Sequence, residues 1–233
     1  MSSSSALAEL PQLDRRTLGD TTYEALSDLL AAGRLAPGDR LSLRRSAAVL
    51  GVSVMPVREA VSRLVAEGAL EVSPNRAIRV PTMTRVEFRA LAETRMAVEG
   101  IAAARAAEQR SEEHLAEIHR TEAAFRRTAE RADPDSAMAV ALNRDLHFAI
   151  YAACGLPPLR EIIARLWLKA GPVINLDLRA HPERLLQGFA LRRHAEALRA
   201  IEARDGAGAA AAIAADIGEA AEFIMSRGGL RDG

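Results

Sequence analysis

Asn143 and His147 stand four positions apart, so on one helix they share a face about one turn apart. His194 and Asp216 stand 22 apart and straddle Asp205-Gly206. If that dipeptide is a tight turn between antiparallel helices, both residues lie roughly 16 Å from it, at about 1.5 Å per residue. Two helix pairs would then bring an Asn, two His and an Asp to one point. Such nitrogen and oxygen donors suit a divalent metal, zinc first, with nickel or manganese as alternatives. Asp145 is roughly 200° around the helix from His147 and falls outside that set. The same pattern also fits histidines that only pack, since a lone His on a mixed helix face commonly does structural work. Arg95 and Glu99 are a further same-face pair, in a segment rich in small residues. A His/His/Asp set can also serve a metal-dependent enzyme, but no additional general base or nucleophile stands at a suggestive spacing. The one cysteine, Cys154, excludes an internal disulfide or a Cys-cluster zinc site and reads as a small buried residue.

The elements that must position these residues read as helices. Of 233 residues, 49% are hydrophobic, 27% charged and only 3% aromatic, and alanine runs such as Gly206–Ala215 recur. This argues against a β-sandwich or barrel and for a mostly α protein. Thirty-one basic residues balance thirty-one acidic ones, so strong nonspecific affinity for nucleic acid or membrane is not a whole-chain property. Lys169 is the only lysine, which leaves arginine, the residue suited to phosphate, guanine and carboxylate forks, as nearly all of the positive charge. No apolar run is long enough to span a membrane, and the serine-rich start lacks the pattern of a signal peptide. A cytoplasmic protein is expected. Residues 1–17 read as a disordered tail, 18–81 as one domain and 82–228 as a second, antiparallel helical one. Its helices are expected near Arg85–Gln109, Ser111–Ala132, Ser136–Ala153, Pro158–Lys169, Gln187–Ala203 and Gly206–Ser226.

In the first domain, helices over about Thr21–Ala32, Ser42–Leu50 and Ser53–Glu67 precede two short strands around Ser73-Pro74-Asn75-Arg76. Ala47, Gly51 and Val57 supply the small contact residue, the left-handed turn residue and the inner apolar residue of a helix-turn-helix. The strand pair would be its wing. Spacing alone also admits an ordinary helical hairpin.

The segment Leu35-Ala36-Pro37-Gly38-Asp39-Arg40-Leu41, with Leu50-Gly51-Val52-Ser53, Pro56-Val57-Arg58-Glu59-Ala60 and Leu64-Val65-Ala66-Glu67-Gly68, strongly resembles the winged helix of GntR-family transcription regulators. The resemblance implies binding to double-stranded operator DNA, with Arg44, Ser53, Met55 and Arg58 at the DNA-contacting positions. Arg76 and Arg79 in the wing would meet phosphate or solvent. Two departures stand out: Val54 where the family usually has Arg, and Ala77 where it usually has Gly.

Residues 85–226 resemble the FCD effector domain of FadR-type members, through Arg95-Met96-Ala97-Val98-Glu99, Asn143-Arg144-Asp145-Leu146-His147 and His194-Ala195-Glu196-Ala197-Leu198. That resemblance implies a helical bundle with a divalent metal held by Asn143, His147 and His194. Asp216 stands where a third His is usual. A neutral Asn with an anionic Asp leaves the same single negative charge as an Asp with three His. Arg95 matches a cavity arginine that holds an organic acid. His114, His119 and His181 match nothing and are expected to be exposed. The implied function is a homodimeric regulator, a repressor of a catabolic operon, governed by a small carboxylate.

Overall fold

The structure is a computed structural model of the chain and describes residues 17–131, 135–180, 188–227 and 230–231, with side chains omitted at 178–180. Residues 1–16 of the proposed tail and His181 lie outside those residues, while Thr17, assigned to the tail, belongs to the first helix as its cap.

Helix α1 (Leu18–Ala31) starts at a capping box in which the Thr17 hydroxyl accepts from the Asp20 amide and the Asp20 carboxylate accepts from the Thr17 amide. It begins earlier than the apolar stripe alone suggests. Strand β1 (Arg40–Leu41), helices α2 (Leu43–Leu50) and α3 (Val54–Ala66), and strands β2 (Glu71–Val72) and β3 (Ile78–Arg79) complete the head. The sheet has order β1-β3-β2, antiparallel throughout, with Arg40 opposite Arg79 and Glu71 opposite the same residue on the other side. β1 was not foreseen, because two residues after a Pro-Gly turn carry no alternation to read. Leu26, Leu30, Ala47, Val57, Leu64 and Leu70 form the core of this part.

The second part is all helix: α4 (Arg85–Gln109), α5 (Glu112–Ala129), α6 (Ser136–Ala152), α7 (Pro157–Ala180), α8 (Phe189–Glu202) and α9 (Gly206–Ser226). Thr84, Ser111, Asp135 and Asp205 cap α4, α5, α6 and α9 with their side chains. α8 and α9 are joined by the short turn expected at Asp205-Gly206. The left-handed residue there is Arg204 rather than the glycine.

Helix α7 is longer than its sequence suggests. It runs through Gly171-Pro172, a pair that reads as a stop. Glycine at 171 spares the clash that a proline imposes on a preceding Cβ. It also lets α1 come close: a Cβ at 171 would lie 2.7 Å from the Leu30 carbonyl oxygen and 2.9 Å from Ala31 Cα. Leu168 of α7 joins the core of the head. Head and bundle therefore meet along α1 and α7.

Candidate metal centre and DNA-reading face

His147 on α6, His194 on α8 and Asp216 on α9 converge in the bundle, an arrangement the spacing allows and the family resemblance implies. One donor atom from each lies within 4.8 Å of the others. His147 Nε2 is 3.2 Å from Asp216 Oδ2, and His194 Nε2 is 3.6 Å from Asp216 Oδ1. All three residues are buried. Asn143, one turn before His147, lines the same cavity. Asp145 is exposed and pairs with Arg144 instead.

Hydrogen bonding orients the ligand set. His147 Nδ1 lies 2.8 Å from the Tyr151 hydroxyl. That hydroxyl donates to Glu99, a carboxylate that only accepts. Tyr151 must therefore accept from His147 Nδ1–H, which leaves the Nε2 lone pair of the neutral ring facing Asp216. Burial, then the Glu99 charge, push the Tyr151 phenol well above its usual value, so it stays a donor. Burial pushes the Asp216 carboxyl up, but once His194 and His147 carry protons their charges and N–H groups outweigh it and hold the carboxyl well below the usual carboxylate range.

A divalent cation fits this set on chemical grounds. His147 Nε2 and both ring nitrogens of His194 are buried without a hydrogen-bond partner. Leaving such groups unpaired costs about 1–3 kcal/mol each. A cation between two neutral imidazoles and an anionic carboxylate would engage one nitrogen of each ring, and the Tyr151–Glu99 pair is the outer support that such a ligand commonly has. The cavity offers about 50 Å³, room for an ion with a few waters or a molecule of a few heavy atoms.

Arg95 lines this cavity but is not a free clamp. Its Nε donates to Glu99 at 2.7 Å, and its guanidinium lies 4.7 Å from the Trp167 ring centroid. Glu99 is fully buried and also accepts from Trp167 Nε1 at 3.1 Å. The organic-acid role implied for Arg95 is corrected to this extent: its charge is already matched. Tyr151 and Trp167 were missed in the sequence. Tyr151 left a signal, being one turn beyond His147.

The reading face is the other candidate site. Ala47 and Val57 are buried, and Gly51 closes α2 in the left-handed region at φ 66°. Nothing lies within 4 Å of a Cβ built there, so backbone conformation alone demands the glycine. Arg44, Ser53, Met55 and Arg58 are exposed together around α2 and the start of α3. Ser53 is the N-cap residue of α3, but its side chain makes no cap bond, and the hydroxyl is free for other partners. Val54 packs half-buried against the head core. In the wing, Arg76 is exposed and itself takes the positive φ of 61°, so Ala77 strains nothing. Arg79 is committed to Glu71 at 2.6 Å across the strands. Of the unmatched histidines, His119 is exposed and pairs with Glu202 at 3.0 Å, whereas His114 is half-buried in the capping box of α5, against expectation.

Comparison with known proteins gives these two sites a family. The description "FCD domain" matches residues 90–219, and "Bacterial regulatory proteins, gntR family" matches residues 18–80. The HTH-type transcriptional regulator McbR of Escherichia coli (strain K12) is 33% identical over 191 residues, 79% of this chain and 83% of that protein. The uncharacterized HTH-type transcriptional regulator BphR of Paraburkholderia xenovorans (strain LB400) is 30% identical over 166 residues, 69% of this chain and 67% of that one. Among solved structures, E. coli McbR/YncC superposes with a TM-score of 0.84 at 28% identity, over 91% of this chain and 99% of that one. A putative transcriptional regulator GntR from Rhodococcus sp. RHA1 shares the fold, with a TM-score of 0.72 at 21% identity over 90% of this chain and 98% of that one. These relatives are transcriptional regulators rather than enzymes, and among the described residues no helix is long and apolar enough to cross a membrane. By the domain match over more than half its length and by its likeness to McbR, the chain belongs to the GntR family of transcriptional regulators and carries an FCD domain.

Proposed function

We propose that the protein is a homodimeric repressor of a catabolic operon whose grip on its operator is set by a divalent metal, zinc first, and a small carboxylate in the bundle cavity. The carrying observation is the set of buried imidazole nitrogens that face Asp216 at 3.2 and 3.6 Å without forming a hydrogen bond. Asn143, His147, His194 and Asp216 would hold the ion. Bound there, it would supply a positive centre for an anionic ligand, a role Arg95 cannot fill alone while paired with Glu99. The cavity volume limits that carboxylate to a few heavy atoms. Two heads of a dimer would read two half-sites through Arg44, Ser53, Met55 and Arg58, with Arg76 on the flanking phosphates.

The cavity wall includes Ala31 of α1 as well as Gly171 and Asn175 of α7. Whatever fills it therefore touches the joint between bundle and head, and an occupant that favours one placement of the head shifts the equilibrium towards it. The test is a mobility-shift titration on the DNA upstream of the gene, with metal-loaded and chelator-treated protein, with and without acetate. Specific retardation that changes with metal and with acetate is expected. Retardation indifferent to both would leave a DNA-binding protein without this control.

A further inference from the structure

A second space lies between head and bundle: a cleft of about 470 Å³ bounded by α1, α6 and α7. It is far larger than the cavity at the histidines, and a closed apolar cavity of about 150 Å³ already takes benzene. We infer that this cleft is a ligand site selective for a small organic cation with a flat apolar body, of the arylalkylamine class. The inference stands independently of the metal reading.

Three aromatic side chains, Tyr23, Phe148 and Trp167, line the cleft. Phe148 meets Trp167 edge-on, with centroids 5.6 Å apart. Aromatic rings attract cations and stack on flat apolar groups; Tyr23 and Trp167 already hold guanidiniums, Arg63 at 3.9 Å and Arg95 at 4.7 Å, so in the cleft the rings serve the flat apolar body and the carboxylates serve the ammonium. Two carboxylates, Asp28 and Asp145, line the same space with one lining cation between them, Arg144. Asp28 and Asp145 divide that one guanidinium, at 3.1 and 3.4 Å. The cleft thus carries a local excess of negative charge beside aromatic walls. The Ser27 hydroxyl also lines it. It is buried beside the Tyr23 phenol, towards which it can donate, and its oxygen can accept from an ammonium N–H. An anion would meet this excess with repulsion, and a neutral aromatic would forgo the charge-assisted bonds. Ala31 and Trp167 wall both this cleft and the inner cavity, so an occupant bridges the head and the partition between the two spaces.

The probe is 2-phenylethylamine, with 2-phenylethanol and phenylacetate as its neutral and anionic counterparts. Trp167 is the sole tryptophan, so its emission reports occupancy directly. A saturable change with the amine is expected, the alcohol binding about tenfold more weakly. Phenylacetate is expected to give no change in protein stripped of metal with EDTA, whereas the amine curve is the same before and after stripping. Asp28→Asn should weaken the amine about fivefold, and Arg144→Gln, which releases both carboxylates, should tighten it by a similar factor. Asp28 is 73% exposed, so its replacement leaves the fold intact, which the melting temperature of each variant verifies. Equal binding of amine and alcohol would overturn the inference. So would affinities unmoved by both substitutions, or loss of amine binding on chelation, which would put the probe at the histidines instead.

Discussion

The Asn175 carboxamide donates to the Ala31 carbonyl at 2.9 Å, tying α7 of the bundle to the last turn of α1 in the head. Helix ends leave their final carbonyls without intrahelical partners, so a side chain from another element gives this one a definite mate. Both residues also wall the cavity beside the histidines. The bond is thus a mechanical link between the place where an ion or ligand would sit and the body that reads DNA.

Asn175→Ala should cost about 1 kcal/mol of stability for the lost hydrogen bond. Metal content should stay as in the wild type, while the effect of metal on operator affinity shrinks. Denaturant unfolding and mobility shifts with and without chelator measure the two parts. Undiminished coupling in the folded variant would place the link elsewhere.

Arg58→Ala should weaken specific DNA binding by about 1–3 kcal/mol without loss of stability. Arg58 is exposed and, among the described residues, enters no ion pair, so the fold does not depend on it. Operator titration beside a thermal melt tests both statements.

The DNA-reading half was the more legible in sequence. Ala47, Gly51 and Val57 each answer a steric demand of the helix-turn-helix, and such demands are met by residue type at fixed offsets. The shared level of His194 and Asp216 was readable because helical rise converts sequence distance into height, whereas their meeting with His147 was implied by the family resemblance. What surrounds them was not: Glu99, Tyr151 and Trp167 come from three helices, and their meeting depends on packing angles that no local pattern encodes. The same holds at Gly171-Pro172, where the sequence reads as a stop. The close approach of the α1 backbone explains the glycine there only once α1 is seen.

Arg95→Met should destabilise the protein by about 3 kcal/mol or more, because it strands the buried Glu99 carboxylate. Adding Glu99→Gln should recover much of that loss, since a neutral carboxamide oxygen still accepts from Tyr151 and Trp167. Denaturant melts of the single and double variants decide it. Equal stability of the two would mean that the ion pair contributes little.

Acid should release the metal in a particular way. Asp216 is held below the usual carboxylate range, so it stays anionic where free carboxylates begin to protonate. The imidazoles of His147 and His194 must be neutral to bind metal, and affinity therefore falls as they take up protons. Titration of metal affinity against pH should show competition from two protons and none from a third over mildly acid pH. A third proton would remove Asp216 from its assigned place.

The central claim is one divalent ion held by Asn143, His147, His194 and Asp216. Elemental analysis tests it most directly, on protein loaded with zinc, nickel or manganese and then dialysed. The expected result is one ion per chain in the wild type, and affinity lower by about tenfold or more in His147→Ala and His194→Ala folded to the same extent. A wild-type protein that retains no metal after such loading would contradict the claim and leave the cavity as a metal-free polar pocket.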